Sequence, residues 1–436
     1  MASAGTSATD PVVTAPRKTI FSWALFDFAN TGFYVIMITL VFPVFFTDVL
    51  AGGDERMWTR TIATSMLLTA LIGPVLGSIA DASGRKKFFL GIFTVVCALA
   101  TVGLFWASGP AMLGMAIALL ILANVGFEGG TIFYDAFLPE IAAEKDYARV
   151  SAFGWAVGYA GSFLTLAAIL PIVGSDPSQI EVRSTFLIAA GIISLFAIPM
   201  FLNVPERSVP ATPGRTISLV EGYRRLRETI THLRNYRQVA RFLAAFFFYN
   251  DGILTVITMA AIFMDETLGF DMQQKIVFFM IVQATALLGS LLFGRVADRI
   301  GARSTILITL GIWVAVVVTA YFVIDATGFF IVGGIAGLAL GSSQSTSRTF
   351  MALLTPVERK TEFFGFYDGF FGKASAILGI YLFGEVAGVF GQRPAILVIG
   401  VLFVIGAALL MRVADVRPGD EYVADSRSTI MDGGNR

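Results

Sequence analysis

From Phe88 to Phe127 the chain runs without a charged residue. A helix crossing a bilayer needs about 20 mainly apolar residues, so this run is long enough for two. Ser108-Gly109-Pro110, near its middle, is the turn signal that divides them. Similar charge-poor runs recur at 28–47, 61–80, 151–175, 184–205, 242–264, 276–294, 304–324, 326–347, 363–389 and 395–411. Together they predict twelve crossings. Over 436 residues the chain is 56% hydrophobic and 14% charged, where soluble domains carry about 25% charged residues. A water-soluble fold of this size has too little interior to hide that much apolar surface, whereas a bilayer accepts it. The expected fold class is therefore all-α, a polytopic membrane protein.

Basic residues orient the crossings. Of 31 Lys and Arg residues, only Arg56, Arg60, Arg183, Lys275 and Arg393 fall in the loops of one side. The other side holds Arg17, Lys18, Arg85 to Lys87, Lys145, Arg149, Arg295, Arg299, Arg303, Arg359, Lys360 and the arginines from Arg412 onward. This bias predicts that both termini lie in the cytosol of a cell (inner) membrane. The segment 206–241 adds Arg207, Arg215, Arg224, Arg225, Arg227, Arg234, Arg237 and Arg241. Within it, Leu219, Tyr223, Leu226, Ile230, Leu233 and Tyr236 recur near the helical period, which predicts an amphipathic helix over 217–239 against an anionic membrane surface. The expected domains are an N-terminal tail 1–18, a six-helix bundle 19–205, this linker 206–241, a second bundle 242–414 and a tail 415–436. Both tails are expected to be disordered. Residues 1–16 lack the charged start and apolar stretch of a signal peptide.

The two halves repeat. Gly77-Ser-Ile-Ala-Asp81-Ala-Ser-Gly84-Arg85 follows the second crossing, and Gly294-Arg-Val-Ala-Asp298-Arg-Ile-Gly301-Ala-Arg303 follows the eighth. Phe153-Gly154-Trp155 with Gly158 matches Phe364-Gly365-Phe366 with Gly369, and Leu138-Pro139 matches Thr355-Pro356. Such matches argue for a duplicated six-helix unit. In each loop the glycines permit a tight reversal, and the aspartate is placed to cap a helix or pair with an arginine. The paired glycines four apart permit close helix approach. Gly77, Asp81, Gly84 and Arg85, with Gly294, Asp298, Gly301 and Arg303, are accordingly expected to act as gating joints.

The loop at Gly77 to Lys87 and its copy at Gly294 to Arg303 resemble the signature loop of the major facilitator superfamily, and the resemblance spans roughly residues 20–415. It implies two pseudo-symmetric six-helix bundles. Five further strings resemble the vacuole-effluxer-like branch, relatives of the fungal vacuolar amino-acid effluxer. They are Trp23-Ala-Leu-Phe-Asp27-Phe-Ala-Asn30, Phe137-Leu-Pro139-Glu140-Ile, Gly154-Trp155-Ala-Val-Gly158-Tyr159, Tyr249-Asn250-Asp251-Gly252 and Glu362-Phe-Phe-Gly365-Phe-Tyr367. The branch implies efflux or exchange of amino-acid-like solutes. In the superfamily, crossings one, four, seven and ten line the central cavity.

Polar groups inside a membrane span are costly and mark candidate sites. Asp27, Asn30, Thr31 and Tyr34 form one helical stripe, as do Asn124, Glu128, Thr131 and Asp135. Asn250 and Asp251 lie in the seventh crossing, and Gly341, Gln344, Ser345 and Arg348 share a face of the tenth. The expected solute site is Asp27, Asn30, Tyr34, Asn124, Asn250, Asp251, Gln344 and Arg348. Asp27 and Asp251 form a pseudo-symmetric pair for a substrate amine or a proton, and Arg348 partners a carboxylate through its planar fork. Glu128, with Asp27, is the expected proton carrier, since loss of water favours the neutral acid. A structural pair of Glu128 with Arg348 is the alternative reading.

Enzyme chemistry finds no footing. The only cysteine, Cys97, lies in an apolar run and the only histidine is His232, too few for a metal site built on these ligands. Gly369-Phe-Phe-Gly372-Lys373 lacks the spacing of a phosphate-binding loop, and no other catalytic motif is present. No cofactor is expected. The expected partners are a small-molecule substrate, protons and the lipid bilayer, with no nucleic acid, and the expected state is a monomer. The reading is a secondary active transporter working by alternating access. An exporter of drugs or lipids, or a non-transporting receptor or scaffold using the basic linker, are the alternatives.

Overall fold

A computed structural model describes residues 13–173, 177–206, 236–266, 268–356 and 359–420. Twelve segments cross the apolar layer in alternation: α1 (Arg17–Leu50), α2 (Glu55–Ser83), α3 (Lys86–Leu104), α4 (Leu113–Asp135), α5 (Tyr147–Val173), α6 (Gln179–Asn203), α7 (Arg237–Glu266), α8 (Met272–Ile300), α9 (Ala302–Phe322), α10 (Ala326–Leu354), α11 (360–390) and α12 (Gln392–Leu410). Among the described residues eleven are long and apolar enough to span a membrane as single helices. The remaining one, α11, is broken into shorter pieces: a π-helical stretch, Gly365–Phe371, separates Lys360–Phe364 from Gly372–Ala374 and Ala376–Phe390, and α1 also carries π-helical stretches, Val35–Leu40 and Phe46–Leu50, within its length. The alternation brings the described ends of the chain and the loops after α2, α4, α8 and α10 to one face, called here the terminal face.

Local chemistry sets the ends. Asp54 caps α2 by accepting from the Arg56 backbone N–H, and Ser178 with Glu181, and Asp271 with Gln274, form reciprocal capping boxes at α6 and α8. Both motif glycines predicted to turn the chain adopt positive φ, Gly84 at 65° and Gly301 at 90°. There a β-carbon would meet backbone strain. Helices α4 and α10 outrun their predicted ends, which brings Glu128, Asp135 and Arg348 inside regular helix. The turn predicted at Ser108-Gly109-Pro110 separates α3 from α4. Outward faces are apolar, with Leu67, Leu99, Leu195, Leu202, Phe322 and Val404 exposed, as a surface solvated by lipid requires.

Helices α1 to α6 form one bundle, in which α1 packs on α5 and α6, and α3 on α4 and α6; α7 to α12 form the other, with α8 on α10 and α7 on α12. The bundles meet through α2 with α11 and through α8 with α5. Under the duplication α2 corresponds to α8 and α5 to α11, so the interface repeats itself about a pseudo-twofold. The predicted helix over 217–239 lies outside the described residues up to 235, and its last three positions, 237–239, open α7 instead; His232, the tail beyond 420 and 1–12 also lie outside the described residues. At the first residue of the linker, Glu206 accepts from the Lys87 backbone N–H at 3.0 Å, while partial burial pushes its carboxyl above the usual range.

Candidate solute and gating site

Arg348 of α10 is 1% exposed. Its guanidinium reaches across to the N-terminal bundle. NH1 donates to Asp135 Oδ1 at 2.8 Å and to Asp27 Oδ2 at 3.2 Å; Nε donates to Ser151 Oγ at 3.0 Å and NH2 to the Ser151 carbonyl at 2.8 Å. Tyr134 donates its hydroxyl to the same Asp27 oxygen at 2.7 Å. The guanidinium carbon lies 4.9 Å from the Trp23 ring centre and 5.3 Å from that of Trp155, within cation–π range. Gly154 makes room for this. A β-carbon there would sit 2.7 Å from the Trp23 ring and 2.9 Å from Arg348 NH2. Buried charge is tolerated only when paired and hydrogen-bonded, and every atom of this cluster except the arginine comes from the opposite bundle.

A second cross-bundle pair joins Glu128 of α4 to Lys373 of α11. Glu128 lies two turns before Asp135 on α4, so it meets Lys373 while Asp135 takes Arg348. The alternative pairing of Glu128 with Arg348 is therefore replaced. Tyr34 stands beside it, its ring 5.6 Å from Phe127, and Asn30 is buried nearby on the same helix.

The other expected residues separate from this cluster. Asn124 donates to Ser65 Oγ at 2.7 Å, tying α4 to α2. Asn250 donates to Ser375 Oγ at 2.9 Å, and Asp251 Oδ1 accepts from the Gly379 backbone N–H at 2.8 Å, so both hold α7 to α11 within the second bundle. Asp27 meets Arg348, and Asp251 has its own partner on α11. Gln344 is half-buried on α10.

The motif residues gather at the terminal face. A β-carbon on Gly77 would lie 2.6 Å from the Thr361 carbonyl of α11, and one on Gly294 would lie 2.4 Å from Ala152 Cβ of α5. Gly77 and Gly294 thus each mark a point where the bundles touch. Asp81 accepts from Thr361 Oγ1 at 2.5 Å and from the Glu362 backbone N–H at 2.9 Å, capping the start of α11. Asp298 is exposed and faces Arg149 and Asp146 near the start of α5. Arg85 is exposed, and its neighbour Lys86 is the buried base, donating to Glu140 Oε1 at 2.7 Å and lying 3.6 Å from Asp81. Arg303 donates to the carbonyls of Leu410 and Met411, fastening α9 to the end of α12.

A family model described as "Vacuole effluxer Atg22 like" matches residues 55–421. The chain belongs to the Atg22-like vacuole effluxer family. An "Uncharacterized MFS-type transporter YxiO" of Bacillus subtilis is 32% identical over 403 residues, covering 89% of this chain and 93% of that protein. Autophagy-related protein 22 of Coccidioides immitis is 23% identical, covering 77% and 68%. The crystal structure of the human organic anion transporter MFSD10 superposes with a TM-score of 0.72 at 14% identity, covering 90% of this chain and 99% of that one. That likeness is one of fold, the major facilitator fold expected from the repeated loops. This Atg22-like chain is a multi-pass membrane transporter of the major facilitator type.

Sequence reasoning placed Asp27 and Arg348 in one expected solute site and left Asp135 outside it, on an inward stripe. Tyr134, Ser151, Trp23 and Trp155 went unassigned. Two of these, Trp23 and Trp155, stand in the strings that carry the branch resemblance, which was the available signal.

Proposed function

We propose that this Atg22-like transporter is a secondary active carrier of a small polar solute, amino-acid-like in its charges, driven by a proton gradient through alternating access. The cross-bundle cluster of Arg348 with Asp27 and Asp135 carries the reading. It supplies both signs of charge in one buried place, between two bodies whose separation would open it. Trp155 Nε1 and Tyr159 Oη are buried there without hydrogen-bond partners among the described residues, and such donors suit a solute carboxylate beside Arg348. Asp27 suits the solute amine, and Asp27 and Glu128 suit the coupling proton. Asp81 of α2, capping α11, serves with Gly77 and Gly294 at the bundle contacts as the gate on the terminal face. The basic-residue bias supports a cytosolic position for that face, in the cell membrane.

A second reading has one observation in its favour. The C-terminal bundle holds an apolar cleft of about 70 Å³ lined by Val256, Met259, Phe263, Phe278, Phe329 and Phe383, whose apolar lining favours a lipid or a hydrophobic drug over a polar solute. Uptake of pooled radiolabelled amino acids into proteoliposomes, with and without an inward proton gradient, separates the two. Gradient-dependent accumulation supports the polar carrier. Absence of amino-acid movement alongside efflux of an apolar dye supports the exporter.

A further inference from the structure

Asp368 lies in the π-helical stretch of α11, which local rules associate with functional positions. Its Oδ2 is sealed from solvent and accepts no hydrogen bond among the described residues. Its side chain meets that of Asp135, which crosses from α4 in the other bundle and whose Oδ1 is held by Arg348. Ionised carboxylates only accept hydrogen bonds, so two of them side by side in a dry site repel and leave an acceptor unfilled. One O–H between them cures both faults.

The surrounding charges are committed elsewhere. From α10, Arg348 serves Asp135 and also Asp27 of α1. From α4, Glu128 takes Lys373, the base nearest to Asp368 on α11 itself. Tyr134 of α4 gives its hydroxyl to Asp27, and Tyr249 of α7 shares its hydroxyl with Ser347. From α2, Asp81 is engaged with Thr361 and Glu362. The two cations that face Asp368, Lys373 and Arg348, are thus both held by other acids.

We propose that Asp135 and Asp368 bind one proton between them, and that this site exists only while the bundles are closed at the terminal face. The inference rests on the proton-driven reading above and deepens it, naming where the proton sits and in which conformation it is held. Asp135 belongs to the first bundle and Asp368 to the second. Moving α11 away from α2 and α4 parts the two carboxyls, admits water and releases the proton to that side. By linkage, protonation favours the closed terminal face and deprotonation favours its opening. The pair thus couples proton release to opening.

The test uses the full chain reconstituted in bilayers, carrying spin labels at Lys145→Cys and Arg299→Cys. Both positions are exposed on the terminal face, at the ends of α5 and α8. Infrared spectra read neutral carboxylic acid, and pulsed electron resonance reads the distance between labels, each from acid to alkaline pH. In the wild type the neutral-acid band fades and the label distance lengthens as pH rises. Asp368→Asn places an amide donor against Asp135, so its spectrum lacks that band and its distance stays short at every pH. Asp135→Asn, made from the other side of the pair, also loses the band, which guards against a misfolded single variant. If Asp368→Asn and Asp135→Asn retain the wild-type band and pH response, the proposal is overturned. The outcomes also separate from the parent reading. A pair that titrates without gradient-driven uptake sinks the proton-driven carrier and leaves this site standing. Gradient-driven uptake with the band unmoved in Asp368→Asn does the reverse.

Discussion

Replacing Arg348 by glutamine removes the cation shared by Asp27 and Asp135 while leaving both carboxylates in place. Four hydrogen bonds from the guanidinium are lost, together with its contacts to the faces of Trp23 and Trp155. Stripping one partner from a buried ion pair costs about 3–5 kcal/mol, because the remaining charge stays buried and uncompensated. The partners lie in opposite bundles, so most of this cost falls on the closed arrangement rather than on either bundle alone. At about 1.4 kcal/mol per decade, the ratio of closed to open terminal face should fall by roughly a thousandfold. Spin labels at Lys145→Cys and Arg299→Cys read that ratio as a distance distribution, which should move from short to long. Adding Asp27→Asn and Asp135→Asn to Arg348→Gln removes the orphaned charges and should return most of the short-distance population, since replacing a whole buried ionic set is close to neutral. A short-distance distribution in the single variant, or no recovery in the triple variant, would refute the assignment of Arg348 as the lock between bundles.

Other outcomes follow from close contacts. Gly154→Ala, whose β-carbon would crowd Trp23 and Arg348, should lower stability by about 1–3 kcal/mol in detergent melting, while Gly191→Ala, with open space around it, should leave the melt unchanged. Gly341→Ala should be at least as damaging in the same assay, because its β-carbon would fall 1.9 Å from the Ala286 carbonyl between α10 and α8 and both contacting parts are backbone. Asp81→Ala should cost about 1 kcal/mol of closed-face stability by uncapping α11, seen as a shorter-lived closed state in the spin-label distances. Glu128→Gln should abolish gradient-driven accumulation in proteoliposomes by leaving Lys373 without its acid, and solute exchange without a gradient should survive.

Much of the architecture was legible because its physics is local. Length and apolarity alone defined the crossings, and Gly84 and Gly301 were readable as turns because only a residue without a β-carbon adopts those angles cheaply. The repeat carried more than was drawn from it. Gly77 and Gly294 were read as joints, and the structure makes each a contact between bundles. Partnerships were not legible. A stripe shows that Asp27, Asp135 and Arg348 face inward, but which acid meets which base depends on helix depth and rotation, set by packing far along the chain. Hence Glu128 went to Lys373, and Asp251 to a backbone N–H on α11. Lys86 shows a further limit: in the run Arg85-Lys86-Lys87 nothing local marks the middle base as the buried one, because its partners Glu140 and Asp81 lie in other turns.

Alternating access requires the bundles to part at the terminal face during each cycle. Asp81 and Thr361 touch across that face, and the native Cys97 is buried, so Asp81→Cys with Thr361→Cys provides a bridge that can be closed and reopened. Uptake of pooled labelled amino acids should stop when this pair is oxidised and resume on reduction, with the wild type indifferent to both treatments. Uptake that continues at the reduced rate through a fully bridged protein would mean that solute crosses without separation of the bundles here, contrary to this mechanism.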